Sequence, residues 1–99
     1  MSLTRKARIG IIGGGLAGLT IAYKLANEQN LEVVLLEASN RLGGRVHTLR
    51  EFSSGLYAEA GAISFCDSDT ELQDLVKELK LEAVDRSDRS FKMYHSTAG

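Results

Sequence analysis

The feature that most constrains the fold of this 99-residue chain is a run of glycines between two differently patterned segments. Residues 8–12 form a short β-branched run, which predicts a buried strand that ends at the glycines. In residues 16–27 apolar side chains recur at three- and four-residue spacing, which predicts a helix of about three turns. Residues 32–36 form a second β-branched run. Strand, helix and strand within about thirty residues predict parallel strands joined by a right-handed crossover.

The glycine run itself, residues 13–18, reads G-G-G-L-A-G and satisfies the pattern G-x-G-x-x-G. Gly13 permits a tight turn out of the strand, Gly15 has no Cβ to obstruct a diphosphate, and Gly18 lets helix and strand pack closely. The amides and the dipole at the helix start would hold the negative charge. The alternative is a glycine turn that serves packing only. The predicted diphosphate ligands are Gly13, Gly15, Leu16, Ala17 and Gly18.

An acidic residue at the end of the second strand supports the ligand-binding alternative. Glu37 follows Gly18 by about 20 residues, a spacing at which a carboxylate accepts hydrogen bonds from the adenosine ribose. A carboxylate in that place also repels a 2′-phosphate. The half-site is therefore predicted to hold the ADP half of a dinucleotide other than NADP.

A second glycine-bearing segment follows directly, and residues 36–45 read L-E-A-S-N-R-L-G-G-R. Arg41 and Arg45 flank the pair Gly43 and Gly44, so a backbone that can approach a ligand lies between two donors suited to phosphate. On its own, this pattern is more typical of a solvated loop with two surface arginines than of a ligand site.

Taken together, residues 11–48 resemble the flavin amine oxidase superfamily, whose members carry G-x-G-x-x-G, then L-E-A, then R-x-G-G-R-x-x-T. The superfamily includes monoamine and polyamine oxidases, L-amino acid oxidases, protoporphyrinogen oxidases and phytoene desaturases. NAD-dependent dehydrogenases share the first motif but generally lack the second, so the resemblance implies FAD as cofactor. It also implies that Arg45 lies near the diphosphate and that Arg41 braces the loop. The implied cofactor contacts in this segment are Glu37, Ala38, Arg41, Gly43, Gly44 and Arg45.

A third segment, residues 57–64, reads Y-A-E-A-G-A-I-S and resembles the stretch of the superfamily that passes beside the flavin ring. By this resemblance Gly61 and Ala62 are flavin neighbours, and the alternative is a tight turn between strand and loop. Members that oxidise amino acids often read E-x-G-A-M-R here, with the arginine gripping the substrate carboxylate. In this chain Ile63 and Ser64 stand in place of Met-Arg. A simple amine or a desaturase-type substrate is therefore left open.

Beyond these motifs, the sequence predicts three further elements, of which the first is a short strand at residues 56–58. Residues 70–80 have near-helical apolar spacing, and either Asp69 or Thr70 is expected to cap the helix at its start. Residues 91–95 are predicted to begin a strand. The single cysteine, Cys66, is expected to behave as a small hydrophobe, and its presence fits a reducing compartment.

Composition and spacing argue against several other functions. The formal net charge of −1 gives no reason to expect a nucleic-acid or membrane partner, and the glycines interrupt any apolar run long enough to span a bilayer. His47 and His95 have no carboxylate or cysteine at metal-ligand spacing, so both are expected to be surface or satisfied histidines and no metal site is predicted. The serines lack a histidine and acid partner, so hydrolase chemistry is not expected.

The sequence thus predicts an α/β fold, with a Rossmann-like βαβ unit of parallel strands in the N-terminal part of an FAD-binding domain. Residues 1–99 are expected to be a fragment of that domain that is inactive by itself, with the rest of the FAD domain and the substrate domain lying downstream. The predicted function is oxidation of a C–H beside an amine nitrogen in a small amine-like substrate, by hydride transfer to FAD, in the cytoplasm. No catalytic residue is assigned, and oligomeric state is left open. The alternatives are a protoporphyrinogen- or phytoene-type FAD oxidoreductase and a noncatalytic nucleotide-binding fragment.

Overall fold

Two parallel strands and the helix between them begin the structure, a computed structural model that describes residues 5–86. The strands are β1, Ala7–Ile12, and β2, Leu31–Leu36, and the helix is α1, Leu16–Leu25. Their register places Ala7 opposite Leu31 and Ile12 opposite Leu36. The predicted βαβ unit is therefore confirmed, and α1 ends two residues before the predicted boundary because the chain turns at Glu28, whose amide donates to Leu25.

Only one face of this small sheet is covered among the described residues. Side chains alternate along β2, with Leu31, Val33 and Leu35 half-buried and the intervening residues exposed. On β1, Ile11 is buried and lies beneath α1, whereas Ile12 at the end of the same strand is 82% exposed. The prediction of a buried β1 therefore holds for one face only, since parallel sheets are buried by packing on both faces and α1 is the one described element that packs on this pair.

A short antiparallel pair follows. It consists of β3, Thr48–Leu49, and β4, Ala58–Glu59, with Thr48 opposite Glu59 and Leu49 opposite Ala58. The connection contains a 3₁₀ turn, Ser53–Gly55, within which Ser54 and Gly55 have positive φ angles. The strand predicted at residues 56–58 is thus shifted toward the C-terminus, because it pairs only where it lies opposite β3.

The chain divides into two compact units, the first ending at Ser64 and the second beginning at Phe65. The second unit contains one described helix, α2, Thr70–Glu78. The predicted helix is confirmed and ends in a left-handed turn, in which Lys80 has a φ of 56° and the amide of Leu81 donates to Val76. Asp69 holds the N-cap position, but the predicted capping bond is absent because its carboxylate accepts the amide of Cys66 at 2.9 Å instead.

The strand expected at residues 91–95 lies outside the described residues. No helix within residues 5–86 is long and apolar enough to cross a membrane.

Candidate cofactor-binding site

The site begins where β1 ends. Gly13 turns the chain with a φ of +100°, a backbone conformation that residues other than glycine rarely adopt. Its amide still donates to the carbonyl oxygen of Leu36 at 2.7 Å. Gly15 then serves as the N-cap of α1 in an extended conformation. The turn therefore leads from the carboxyl end of β1 directly into a helix N-terminus, as the glycine pattern predicted.

The first turn of α1 packs against the backbone of this glycine turn. A Cβ built on Gly18 would strike the carbonyl oxygen of Gly13 and would lie 3.3 Å from the side chain of Ile11. The first intrahelical hydrogen bond runs from Leu19 to Gly15, so the amides of residues 16–18 have no acceptor within the helix. Together with the helix dipole, these amides form a region of positive potential.

Glu37 closes the turn from the other side. Its carboxylate accepts the amide of Ser39 at 2.7 Å and the amide of Gly14 at 2.9 Å. These two backbone hydrogen bonds, from Ser39 and then from Gly14, lower the pKa of Glu37 from 4.5 to about 2. The side chain is therefore ionised at neutral pH, and each oxygen retains a lone pair for a further donor.

The second glycine-bearing segment lies directly against the first, which sequence reasoning did not predict. The amide of Gly43 donates to the carbonyl of Gly14 at 2.8 Å, and Gly15 and Gly43 form a single parallel bridge. A Cβ built on Gly44 would lie 3.1 Å from the Cα of Gly15. The two glycine pairs therefore allow backbone-to-backbone contact between the loops. The occurrence of glycines in both segments is the sequence feature from which this contact could have been predicted.

The two arginines of this segment have different surroundings. The guanidinium of Arg41 donates to the carbonyls of Gly44 at 2.7 Å, Leu42 at 3.0 Å and Val46 at 3.3 Å. Arg41 thus holds the loop in shape. Arg45 is exposed, and within the described part of the chain its guanidinium has no hydrogen-bond or ion-pair partner. Arg45 is therefore the one of the two that can bind a ligand without breaking an existing contact.

The third segment completes the arrangement by pairing with the second. The amide of Ala60 donates to His47, and the amide of Ala62 donates to Arg45, each at 2.9 Å. A Cβ built on Gly61 would strike the carbonyl oxygen of Arg45, so the absence of a side chain at position 61 allows the two strands to approach. The pairing of β3 with β4 is thereby extended from Glu59 to Ala62.

All three segments line a single open cleft of about 870 Å³. This volume falls in the range of small-molecule and cofactor sites. The predicted residues on its walls are Gly13, Gly15, Leu16, Ala17, Gly18, Gly43, Gly44, Arg45, Gly61 and Ala62. The lining residues that sequence reasoning did not select are Ile12, Val46, His47 and Ala60. They follow or precede predicted residues, and only the pairing of the segments brings them to the cleft.

Three predicted residues lie beside the cleft rather than on its walls, namely Glu37, Ala38 and Arg41. The carboxylate of Glu37 accepts a hydrogen bond from the amide of Gly14, which lies between the lining residues Gly13 and Gly15. The guanidinium of Arg41 donates to the carbonyl oxygen of Gly44, which lines the cleft. His47 had been expected to be a surface or satisfied histidine, and the structure places it on the wall. Within residues 5–86, no group of three or more histidine, cysteine or acidic side chains could hold a metal ion.

The walls fit an anionic, extended ligand. Glycine backbone lines the cleft on both loops, and positive potential comes from the α1 amides and from Arg45. Apart from His47, the remaining walls are small or apolar. A diphosphate requires this combination of close backbone approach and uncompensated donors.

Comparison with known proteins gives one family. The profile described as flavin-containing amine oxidoreductase matches residues 16–98. The L-amino acid oxidase of Cerastes cerastes is 39% identical over 75 residues, which are 76% of this chain and 14% of that protein. The L-amino acid oxidase of Bothrops pictus is 39% identical over 74 residues, or 75% of this chain and 15% of the relative. That of Pseudechis australis is 37% identical over 75 residues, with 76% and 14% covered.

Proposed function

Since the chain belongs to the flavin-containing amine oxidoreductase family, we propose that its cleft binds FAD and that the described residues of the first unit form part of an FAD-binding domain. The matched segments span only 14–15% of the relatives named above. The activity proposed for the whole protein is oxidation of a C–H bond beside an amine nitrogen in a small molecule.

The observation that carries this proposal is the direct contact between the two glycine segments. The 2.8 Å hydrogen bond from Gly43 to Gly14 sets Arg45 and the open amides of α1 on one cleft. The diphosphate is proposed to lie there, with Gly15 and Gly44 allowing its close approach to the backbone. An NAD-binding turn would need only the first of these segments.

The adenosine end is proposed to lie at Glu37. Its carboxylate is ionised and fixed by two backbone amides, so the free lone pairs have a defined direction before any ligand arrives. Ribose hydroxyls would donate to them. A 2′-phosphate would meet a negative charge, which disfavours NADP.

When bound, a flavin supplies the acceptor for a hydride equivalent, and the protein supplies binding, orientation and electrostatics. This chain is proposed to bind and orient the cofactor. Gly61 and Ala62, which also line the cleft, are proposed to lie beside the flavin ring because small side chains permit close approach. No residue of the chain is assigned a catalytic role.

The proposed substrate is an amine, and position 64 bears on its class. The named relatives are L-amino acid oxidases. Family resemblance implies an arginine at position 64 for recognition of an α-carboxylate, and Ser64 in this chain is exposed and uncharged. If the substrate of this protein carries a carboxylate, a cation elsewhere must pair with it.

Titration of the purified protein with FAD, FMN and NAD tests the cofactor proposal. FAD should remain bound through gel filtration and show an absorption band near about 450 nm. FMN should be lost, because it lacks the ADP half that the glycine turn holds. Retention of NAD in preference to FAD, or of no dinucleotide, would contradict the proposal.

A matched pair of variants separates site effects from general damage. Gly15→Val places a side chain where the diphosphate approaches the helix and should abolish FAD retention. Gly10→Val introduces the same side chain on β1, where a Cβ meets nothing within 4 Å, and should leave retention unchanged.

A further inference from the structure

We propose that Thr48 and Glu59 are positioning residues of the cleft, because their hydrogen bond fixes the register of the strand that carries Gly61 and Ala62. Neither side chain lines the cleft itself. The effect on the cofactor rests on the proposed function, whereas the effect on strand register does not.

The contact joins two residues that face each other across the β3–β4 pair. The hydroxyl of Thr48 lies 2.9 Å from Oε2 and 3.0 Å from Oε1 of Glu59, so its single proton is shared by both carboxylate oxygens. A hydrogen bond to an ionised acceptor is stronger than one between neutral groups. Thr48 is half-buried, whereas Glu59 is exposed, so water can compete for the carboxylate and the bond contributes modestly.

Such a contact matters here because the paired strands are very short. Each strand contributes only two residues, and short pairings specify register weakly. A slip by one residue would move every side chain of residues 58–62 to the opposite face of the pair.

The slip would also destroy the close approach at the cleft. Gly61 lies against the carbonyl oxygen of Arg45, where no Cβ can be accommodated. A shift in either direction would bring Ala60 or Ala62 to that point. The cross-strand bond of Thr48 and the glycine at position 61 therefore specify the same register independently.

The register in turn sets one wall of the cleft. The amides of Ala60 and Ala62 donate to His47 and Arg45, and all four of these residues line the cleft. Arg45 is the residue proposed to bind the diphosphate, so its backbone position depends on the same pairing. The bond between Thr48 and Glu59 thus acts on the proposed diphosphate and flavin positions without touching the ligand.

The test uses two disrupting and two conservative variants of the full chain. Thr48→Val removes the hydroxyl at nearly constant volume, and Glu59→Ala removes the acceptor. Thr48→Ser and Glu59→Gln each keep a group able to make the bond. The first measurement is amide hydrogen exchange at Ala60 and Ala62, with the amide of Gly13 on the β1–β2 pair as an internal reference.

We expect exchange at Ala60 and Ala62 to become roughly two- to five-fold faster in Thr48→Val and in Glu59→Ala, as a cross-strand pair of this kind allows. The double variant should be no faster than either single variant, since one bond is lost in each case. Thr48→Ser and Glu59→Gln should behave as the parent, and Gly13 should not change in any of them.

The second measurement is the visible absorption band of bound FAD together with its dissociation constant. Both disrupting variants should shift the band and weaken binding by roughly two- to five-fold, and the conservative variants should restore both. Unchanged exchange in Thr48→Val, or faster exchange with an unchanged band, overturns the proposal. If the parent protein binds no FAD, the cofactor proposal fails, and the exchange measurement still decides whether this bond fixes the register.

Discussion

The carbonyl oxygen of Gly13 occupies the space that a Cβ at position 18 would need. The first turn of α1 therefore rests on the backbone of the turn that precedes it. This contact explains the last glycine of the pattern by packing, while the amides in the same turn remain open to a ligand. Helix packing and the proposed cofactor binding thus place requirements on the same few residues.

A pair of glycine substitutions tests this contact. Gly18→Ala should lower the free energy of unfolding by about 1–3 kcal/mol, because helix and turn must separate to admit the methyl group. Gly10→Ala should change it by no more than about 0.5 kcal/mol, since a Cβ there meets nothing within 4 Å. Urea unfolding measures both. Equal effects at the two positions would show that the close approach at Gly18 is not maintained in solution.

Alanine substitutions at Gly43 and Gly55 distinguish the cost of backbone strain from the cost of a steric clash. Gly43 and Gly55 have φ angles of +109° and +69°, so alanine is strained at both. A Cβ at Gly43 would also lie 2.6 Å from the carbonyl oxygen of Val46, whereas one at Gly55 meets nothing within 4 Å. Gly55→Ala should cost about 1 kcal/mol in unfolding free energy and Gly43→Ala about 2–3 kcal/mol. FAD affinity should fall only for Gly43→Ala.

The pKa of Glu37 predicts a specific dependence on acid. Because the folded-state pKa is lowered to about 2 from 4.5, the ionised form stabilises the fold fully above about pH 4.5. This contribution is lost as the pH falls from there toward about 2. Thermal melting between pH 2 and pH 7 should therefore show a steeper acid decline in the parent than in Glu37→Gln.

Glu32 supplies the control for this experiment. Its pKa is also lowered, through the side-chain hydrogen bond and charge of Arg8, but the pair is solvent-exposed, with side chains 71% and 49% accessible. Added salt should remove the contribution of Glu32 and leave that of Glu37, whose donors are backbone amides. An acid decline that salt abolishes entirely would assign it to surface pairs and not to Glu37.

The two arginines should separate stability from binding. Arg41→Gln should reduce the unfolding free energy by about 1 kcal/mol, because three loop carbonyls lose their shared donor at an exposed site. Arg45→Gln should leave stability nearly unchanged and weaken FAD binding by about ten-fold. It should also reduce the salt dependence of binding, which titrations at two ionic strengths would measure. A larger loss of stability from Arg45→Gln than from Arg41→Gln would reverse the assigned roles.

Local pattern was sufficient to predict the βαβ unit and the second helix. Residue spacing reports secondary structure because a helix and a strand repeat with different periods, and the glycine positions report where the backbone must turn. Boundaries were less accurate, as at the end of α1 and at β4, because a boundary depends on which groups remain free to pair. The predicted capping hydrogen bond of Asp69 is absent for the same reason, since its carboxylate accepts the amide of Cys66 instead.

Residue types and spacing alone identified the segments that we propose to bind a dinucleotide: a glycine turn at a helix start, a carboxylate after the next strand, and two loops rich in small residues. How these segments meet depends on the three-dimensional fold. The bond from Gly43 to Gly14, the different partners of Arg41 and Arg45, and the place of His47 on the cleft all depend on contacts between distant segments. Backbone amides and carbonyls make these contacts, and since every residue but proline carries both groups, their partners cannot be read from residue type.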